Sequence, residues 1–453
     1  MAGLTTREFG LDQRCADLSV ARCSVTGMFE SLFDIDPAAS EADLRDAVER
    51  FERLKSSAAA AQARATALWK KKRRAAEDAA GVPASHRGRG LASEVALARR
   101  DAPAQGGRHL GFATALVDEM PYTLAALESG SLSEWRATLI VRESACLSVE
   151  HRRRLDAELC RDTVRLEGWG DKRIAAEAKK IACSLDVGAV VDRSAKAAAD
   201  RCVTIRPAPD TMTWVTALLP VAQGVSVYAA LKRAADTTFD DRSRGQVMAD
   251  ALVERVTGRP ADQPVSVTLN LVMADTTLTG DDDSPAWLDG YGPLPSSIAR
   301  ALTGDAATDA AAKTMLRRLY RHPRSGQLVA MESQARIFPK GLAAFIGIRD
   351  QACRTPFCNA PIRHRDHAVP RHRAGPTSAM NGLGECEACN YAKEAPGWAV
   401  ATSEHDGVHS AEFTTPTGAT YRSTAPPLPG PPIRTVSTVE GRLSVDLITF
   451  DAA

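Results

Sequence analysis

The sequence predicts a mainly α-helical N-terminal domain and a mixed α/β middle, followed by a small cysteine-closed finger and a β- and proline-rich tail. Three observations carry that reading. Apolar residues recur at helical spacing through most of the chain before residue 203. β-Branched residues gather at 203–218 and 265–274. Near the C-terminus, Cys353-Arg-Thr-Pro-Phe-Cys358 and Cys386-Glu-Ala-Cys389 form two short-spaced pairs. A chain of 453 residues exceeds what one compact core accommodates, so two or three domains are expected.

A short lead-in, 1–29, precedes the first helix. Ser40 followed by Asp43 is a capping-box pattern, and Leu44, Val48, Phe51, Leu54, Ala58, Ala61, Ala65 and Leu68 continue at helical spacing. A long amphipathic helix to about Lys71 is expected. The stretch Gly81 to Gly90, with Pro83 and alternating arginine and glycine, breaks it before another helix at 91–100. Helical patterns follow at 110–120, 133–145, 148–160 and 171–185. Strand composition at 203–218 gives way to helices at 221–235 and 242–256, and 265–274 alternates like a strand. Residues 275–295, with Gly280 and the run Asp281 to Asp283, read as a long loop whose acids form a solvated turn.

Short helices are expected at 316–320 and 342–349. The mostly helical domain then spans 30–336, mixed α/β after about 203, with a boundary near Ile337 and the finger at 337–400. The tail, 401–453, should pair 408–413 with 418–423 as a hairpin before a Pro-rich run at 425–433. No internal repeat of solenoid period is present.

Bulk charge points to no polyanion partner: 57 Lys and Arg face 56 Asp and Glu, so affinity for nucleic acid must come from a local patch. The start carries acids early, at Glu8 and Asp12, and lacks the pattern of a secretory leader. No stretch reaches the ~18 apolar residues of a membrane span. A cytoplasmic location without membrane contact is the expectation. Cys15, Cys23, Cys146, Cys160, Cys183 and Cys202 are scattered singly and read as reduced packing residues.

The remaining cysteines, Cys353, Cys358, Cys386 and Cys389, supply a full tetrahedral thiolate set for a structural Zn²⁺, which would fold a segment too short to bury its own core. Between and after them stand Asp366, His367, Asn381 and Asn390. Phosphodiester hydrolysis needs a base for water, a cation for developing charge, and a group that aims the base. His367 titrates near neutral pH; Asp366 and Asn390 are hard oxygen donors suited to Mg²⁺ or Mn²⁺; the Asn381 amide can hold an imidazole in one orientation.

Asp366-His367-x-x-Pro370, Gly375 to Asn381, and Cys386-x-x-Cys389-Asn390-x-x-Lys393 resemble the HNH endonucleases, the zinc-stapled ββα-metal or His-Me finger nucleases. The likeness runs from about Gly341 to Val400 and includes Trp398. It implies a ββα-metal fold, His367 as general base, Asp366 and Asn390 as ligands of the catalytic ion, and Asn381 as the residue orienting the base. It also implies DNA cleavage to 5′-phosphate and 3′-hydroxyl ends. The final motif position often holds His and here is Asn390, the HNN form, whose amide oxygen still ligates a hard cation.

Ser133-Glu-Trp-Arg136, Arg142-Glu-Ser-Ala-Cys-Leu147, Gly245 to Gly258 and Gly290 to Pro295 are similar to the helical domain of unknown function that precedes HNH modules in the thirteen-E-twelve repeat family. That likeness supplies no biochemical role.

Arg354, Arg363, Arg365, Arg371 and Arg373 are opposed only by Asp366 across 353–373, and Lys393 follows on the helix. Arg365, Arg371, Arg373 and Lys393 are the candidate contacts to phosphates of double-stranded DNA, which would make the location nucleoid-associated. His364 and His372 read as phosphate contacts or surface residues. The alternative reading is a zinc-stabilised DNA-binding protein whose HNH scaffold is inactive; a redox or zinc-storage module lacks the expected context. The basic run Lys70 to Arg74 beside Trp69 reads either as a DNA-positioning arm or as a solvated helix end. Oligomeric state is left open.

Overall fold

The computed structural model describes residues 33–262, 270–308 and 338–430. The expected lead-in, the short helix at 316–320, the boundary at Ile337, part of the 265–274 strand and residues 431–453 of the tail lie outside the described residues, as do Cys15 and Cys23.

Helix α1 (Glu41–Ala79) opens with the expected reciprocal cap, Ser40 Oγ accepting from Asp43 N–H while the Asp43 carboxylate accepts from Ser40 N–H. It continues past Lys71, and the basic run lies inside it. Neighbouring helices take up much of that charge: Lys70 donates to Thr114 Oγ1, Lys71 pairs with Asp118 at 2.6 Å, and Arg73 with buried Glu94 at 2.9 Å. The run is therefore not a helix end, and Lys71 remains exposed in its ion pair.

After α2 (Leu91–Ala98), helices α3 (Gly106–Glu119), α4 (Pro121–Glu128), α5 (Glu134–Ser144), α6 (Val149–Cys160) and α7 (Asp171–Leu185) close with α1 around one core, which includes Phe112, Leu116, Met120, Leu127, Ile140, Leu155 and Ile174. Fully burying each such side chain contributes about 1.5–3 kcal/mol. Ser133 and Ser148 cap α5 and α6. Helix α4 was not among the expected helices. Its proline sits in the first turn, and its N-terminal N–H groups are met from a distant element: the buried Asp156 carboxylate accepts from Tyr122 N, Thr123 N and Thr123 Oγ1 at 2.6–2.8 Å.

Helix α8 (Val187–Ala197) leads to the antiparallel hairpin β1 (Cys202–Ala208) and β2 (Met212–Leu218), then to the packed pair α9 (Val221–Thr237) and α10 (Arg244–Thr257). Both faces of the hairpin are exposed among the described residues. The expected loop at 275–295 instead holds α11 (Asp275–Thr279) and the strands β4 (Ala286–Leu288) and β5 (Gly292–Leu294), with β4 pairing with β3 (Leu271–Val272) on one side and β5 on the other. Its acids organise the turn. Asp282 accepts from Thr277 Oγ1 and Ser284 N, and Asp283 pairs with Arg300 of α12 (Ser296–Thr308).

The chain resumes with α13 (Lys340–Asp350), which lies against the antiparallel pair β6 (His364–His367) and β7 (Gly382–Glu385); α14 (Glu387–Lys393) follows at once. A meander of β8 (Ala399–His405), β9 (Val408–Thr414) and β10 (Thr420–Thr424) completes the described fold. The expected hairpin is β9–β10, and β8 is an additional strand. Asp406 and Gly407, both at positive φ, make the two-residue turn that joins β8 to β9.

Trp398 ties this C-terminal part to the helical domain, packing with Ala395 on Leu97 of α2 and with Tyr421 beside it. Gly90 lies so close that a Cβ there would fall 2.5 Å from Trp398 Nε1. Thr417 adds a hydrogen bond to Glu94. No helix of the described residues is long and apolar enough to cross a membrane.

Replacing Asp156 by Ala strands the buried N–H groups at the start of α4 and should lower stability by about 2–3 kcal/mol, read as a shifted urea midpoint. Asp156→Asn keeps one acceptor and should cost less.

Candidate metal centre and its histidine neighbour

The finger depends on close approach of α13 to β7. A Cβ at Gly382 would meet Ile346 Cδ1 at 2.4 Å, and one at Gly384 would meet Ile362 Cδ1 at 2.5 Å, so these glycines admit the apolar neighbours. Behind them lies a buried charge network. Asp350 at the end of α13 receives Arg349 Nε at 2.7 Å, Arg354 Nη1 at 2.8 Å and the Gly384 N–H at 2.7 Å. Arg349 also donates to the carbonyls of Ala379 and Gly382. Against the upward push of burial, the Arg349 charge and hydrogen bond hold Asp350 below the usual carboxylate range. Arg354 is therefore an interior residue and not a phosphate contact.

Cys353 N donates to Ala360 O and Cys358 N to Thr355 O, closing a knuckle in which Phe357 adopts φ +63°. Cys386 caps α14 and Cys389 follows in its first turn. All four sulfurs are buried and lie within 4.8 Å of one another, with Cys358 Sγ 3.8 Å from Cys386 Sγ. Metal–thiolate bonds of about 2.3 Å put tetrahedral sulfurs about 3.8 Å apart, so the group fits a metal ion such as zinc. The four thiols share their protons: hydrogen bonds from Cys353, then Cys389, push Cys358 down, while hydrogen bonding with Cys353 pushes Cys386 and Cys389 up.

His367 ends β6. Its Nε2 lies 2.9 Å from Thr377 Oγ1, and its ring meets Phe338 at 4.7 Å between centroids. Asp366, its neighbour on the strand, points to the opposite face, toward α14, yet its Oδ1 turns back to accept from His367 N–H at 2.8 Å and lies 3.4 Å from Nδ1. Asn390 projects from α14. The expected role of the Asn381 side chain needs correction: its amide bonds Val369 N, Val369 O and Pro376 O, bracing the 368–381 loop and not the imidazole. It acts on His367 only through the backbone, where Ala368 N donates to Asn381 O. A planar amide satisfied by three backbone groups has little left to offer a ring.

Lys393, expected at a phosphate, is also placed elsewhere. Its side chain is 2% exposed, and its ammonium donates to Glu385 Oε2 at 2.6 Å, Asn390 Oδ1 at 2.9 Å and Asp366 Oδ2 at 3.2 Å. Burial pushes fully buried Glu385 up, to about 7, against the pull of Lys393. Burial also opposes the charge on Lys393, but Glu385 and Asp366 outweigh it and hold the ammonium above its ordinary value. Burial pushes Asp366 up, but the Lys393 charge and the hydrogen bonds from His367 and Lys393 together outweigh it and hold the carboxyl below its ordinary range. The oxygen donors of Asp366 and Asn390 fit a hard cation in kind, and here they share one ammonium.

Arg365, Arg371 and Arg373 are exposed, the last two in a single turn (Arg371–Arg373) after β6. His372 is exposed too, while His364 is partly covered near the Tyr391 ring. Sequence reasoning missed Glu385, Thr377, Phe338 and His409. Glu385 had a signal, as an acid alternating with Leu383 on an apolar strand directly before Cys386.

A family model described as "Domain of unknown function (DUF222)" matches residues 48–350. The chain belongs to this family. The DUF222 match runs through the helical domain and α13 and stops at Asp350, the hub of the buried charge network, just before Cys353. No curated protein and no solved structure matches the chain. The cysteine finger therefore stands beyond the matched DUF222 residues and is packed on their last helix.

Cys386→Ser should lose the bound metal and most of the finger's stability, measured as zinc content after gel filtration and loss of the thermal transition. His409, buried between Arg354 and the Met380 carbonyl, is pushed down to about 4 by burial and then by Arg349. A depressed histidine contributes stability that is full above the unfolded value near 6.5 and is lost as pH falls toward 4. That loss amounts to about 3 kcal/mol. The urea midpoint should fall over this window, and His409→Gln should flatten the fall.

Proposed function

We propose that the finger is a divalent-metal-dependent DNA endonuclease centre of the HNH type, in its HNN form, stapled by structural zinc at Cys353, Cys358, Cys386 and Cys389. Cleavage of double-stranded DNA would leave 5′-phosphate and 3′-hydroxyl ends. The observation that carries this reading is the His367 ring at the end of a β-strand pair, held at Nε2 by Thr377 and flanked by Asp366, with Asn390 on the helix that follows.

In this reading Nε2–H donates to Thr377 Oγ1, which leaves Nδ1 to take a proton from water. Asp366 and Asn390 would hold Mg²⁺ or Mn²⁺, and the bound ion offsets negative charge as the phosphorus–oxygen bond breaks. Asn381 fixes the loop that carries Thr377. Exposed Arg365, Arg371 and Arg373 contact backbone phosphates, which positions the duplex without reading its sequence. Such a substrate implies a nucleoid-associated, cytoplasmic site of action.

One observation favours the inactive-scaffold reading: the Phe338 ring covers His367, whose side chain is 8% exposed. Plasmid cleavage separates the two. Purified protein with Mg²⁺ or Mn²⁺ should nick or linearise supercoiled DNA. His367→Ala should cut about 10²–10⁴-fold more slowly while retaining zinc. A salt-sensitive gel shift without cutting under any metal would establish the scaffold reading instead.

A further inference from the structure

An ammonium has three donors, and Lys393 directs them to three different side-chain oxygens, Glu385 Oε2, Asn390 Oδ1 and Asp366 Oδ2. A purely structural lysine–glutamate pair would account for the shortest of these contacts. It does not account for the other two, which go to the side chains that the nuclease reading assigns to the catalytic ion. A surface role is ruled out by burial, since the Lys393 side chain is 2% exposed and that of Glu385 fully buried. Glu385 Oε1, also buried, has no hydrogen-bond partner among the described residues, so the cluster retains an unused oxygen.

We infer that Lys393 is a resident cation at the Asp366–Asn390 pair, and that a divalent ion binds there tightly only when a phosphate adds its own negative charge. The inference rests on the reading of Asp366 and Asn390 as cation ligands. A hard cation approaches its oxygen ligands to about 2.0–2.6 Å, which brings two positive charges onto oxygens already committed to a third. In a site this dry the repulsion is weakly screened. Asp366 supplies one negative charge, and Glu385, pushed up to about 7 by burial, supplies only part of another, against the one on Lys393, which leaves the pocket poorly matched to a doubly charged ion. A phosphodiester oxygen supplies both the missing charge and a further ligand. Entry is open on one side only, since the Asp366 side chain is 37% exposed while Lys393 and Glu385 close the interior side. Lys393 thereby also keeps Asp366 and Asn390 together before any ion arrives.

The test measures free Mn²⁺ by electron paramagnetic resonance in titrations of full-length, zinc-loaded His367→Ala protein, in which turnover of DNA is slowed. Ion bound only through DNA is subtracted with a His367→Ala, Asp366→Ala control. Without DNA, adding Lys393→Met should tighten Mn²⁺ binding by about tenfold or more, because the competing charge is gone. Unchanged or weaker binding by folded Lys393→Met protein would overturn the inference.

Should Lys393→Met lose zinc or unfold, the parent protein decides alone: a short duplex should raise its Mn²⁺ affinity by a similar factor, and equal affinities with and without duplex refute the idea. Failure of the nuclease reading looks different. No binding of duplex, or no Asp366-dependent Mn²⁺ site in any variant, removes that reading itself and the inference with it. Duplex binding with an Asp366-dependent site indifferent to Lys393 removes the inference alone.

Discussion

Asp350 carries a charge in a place with almost no water, and the finger is arranged around that carboxylate. It closes α13, takes two guanidinium groups and the N–H of Gly384, and so joins helix, strand and cysteine knuckle at a single point. Arg354 extends the network to His409 and Ser423 of the meander, and Arg349 extends it to the 379–382 backbone. Buried ions are costly unless every partner is present, and removing one partner typically costs about 3–5 kcal/mol. The network thus demands one register of β7 against α13. That register fixes which face of β6 carries His367 and which carries Asp366.

A second buried charge group sits on the other face. Lys393 and Glu385 neutralise one another and hold Asp366 and Asn390 beside them. The two groups bracket β6 and β7, so the strand pair is set by electrostatics as much as by its small apolar core of Ala368, Leu383, Val400, Ala411 and Phe413. The cysteine group pins the far end, where Cys386 turns the chain from β7 into α14. A segment this short gains stability from ions and a metal staple where a larger domain would rely on apolar burial.

The helical domain works by the opposite means. Its core is apolar throughout, and its charges lie at helix surfaces and caps, with Asp156 and Glu94 the buried exceptions. Docking of Trp398 on α2 links the two regimes. The DUF222 match takes in that domain and extends through α13, so the helix that supplies Asp350 to the finger belongs to the matched sequence.

Much of this was legible in the residues. The cap at Ser40, helical periodicity through 185, the strand composition at 203–218 and the paired cysteines follow from local chemistry, which acts over a few residues. Strand β8 was equally within reach, since Asp406-Gly407 is a strong hairpin turn. Other features depend on groups that meet only in the folded chain. Helix α4 exists past Pro121 because Asp156 satisfies its first N–H groups.

Lys70, Lys71 and Arg73 of α1 meet partners on α2 and α3, which the sequence order does not reveal. Asn381 braces a loop because the loop folds back onto it, and Lys393 turns inward because Glu385 on a neighbouring strand waits there. The amino-acid order alone determined which residues could serve as metal ligands, base and caps, because side-chain chemistry and short spacing are properties of the chain. Only the tertiary structure decided which of those groups face one another, because the partner of a buried charge comes from whichever element packs against it.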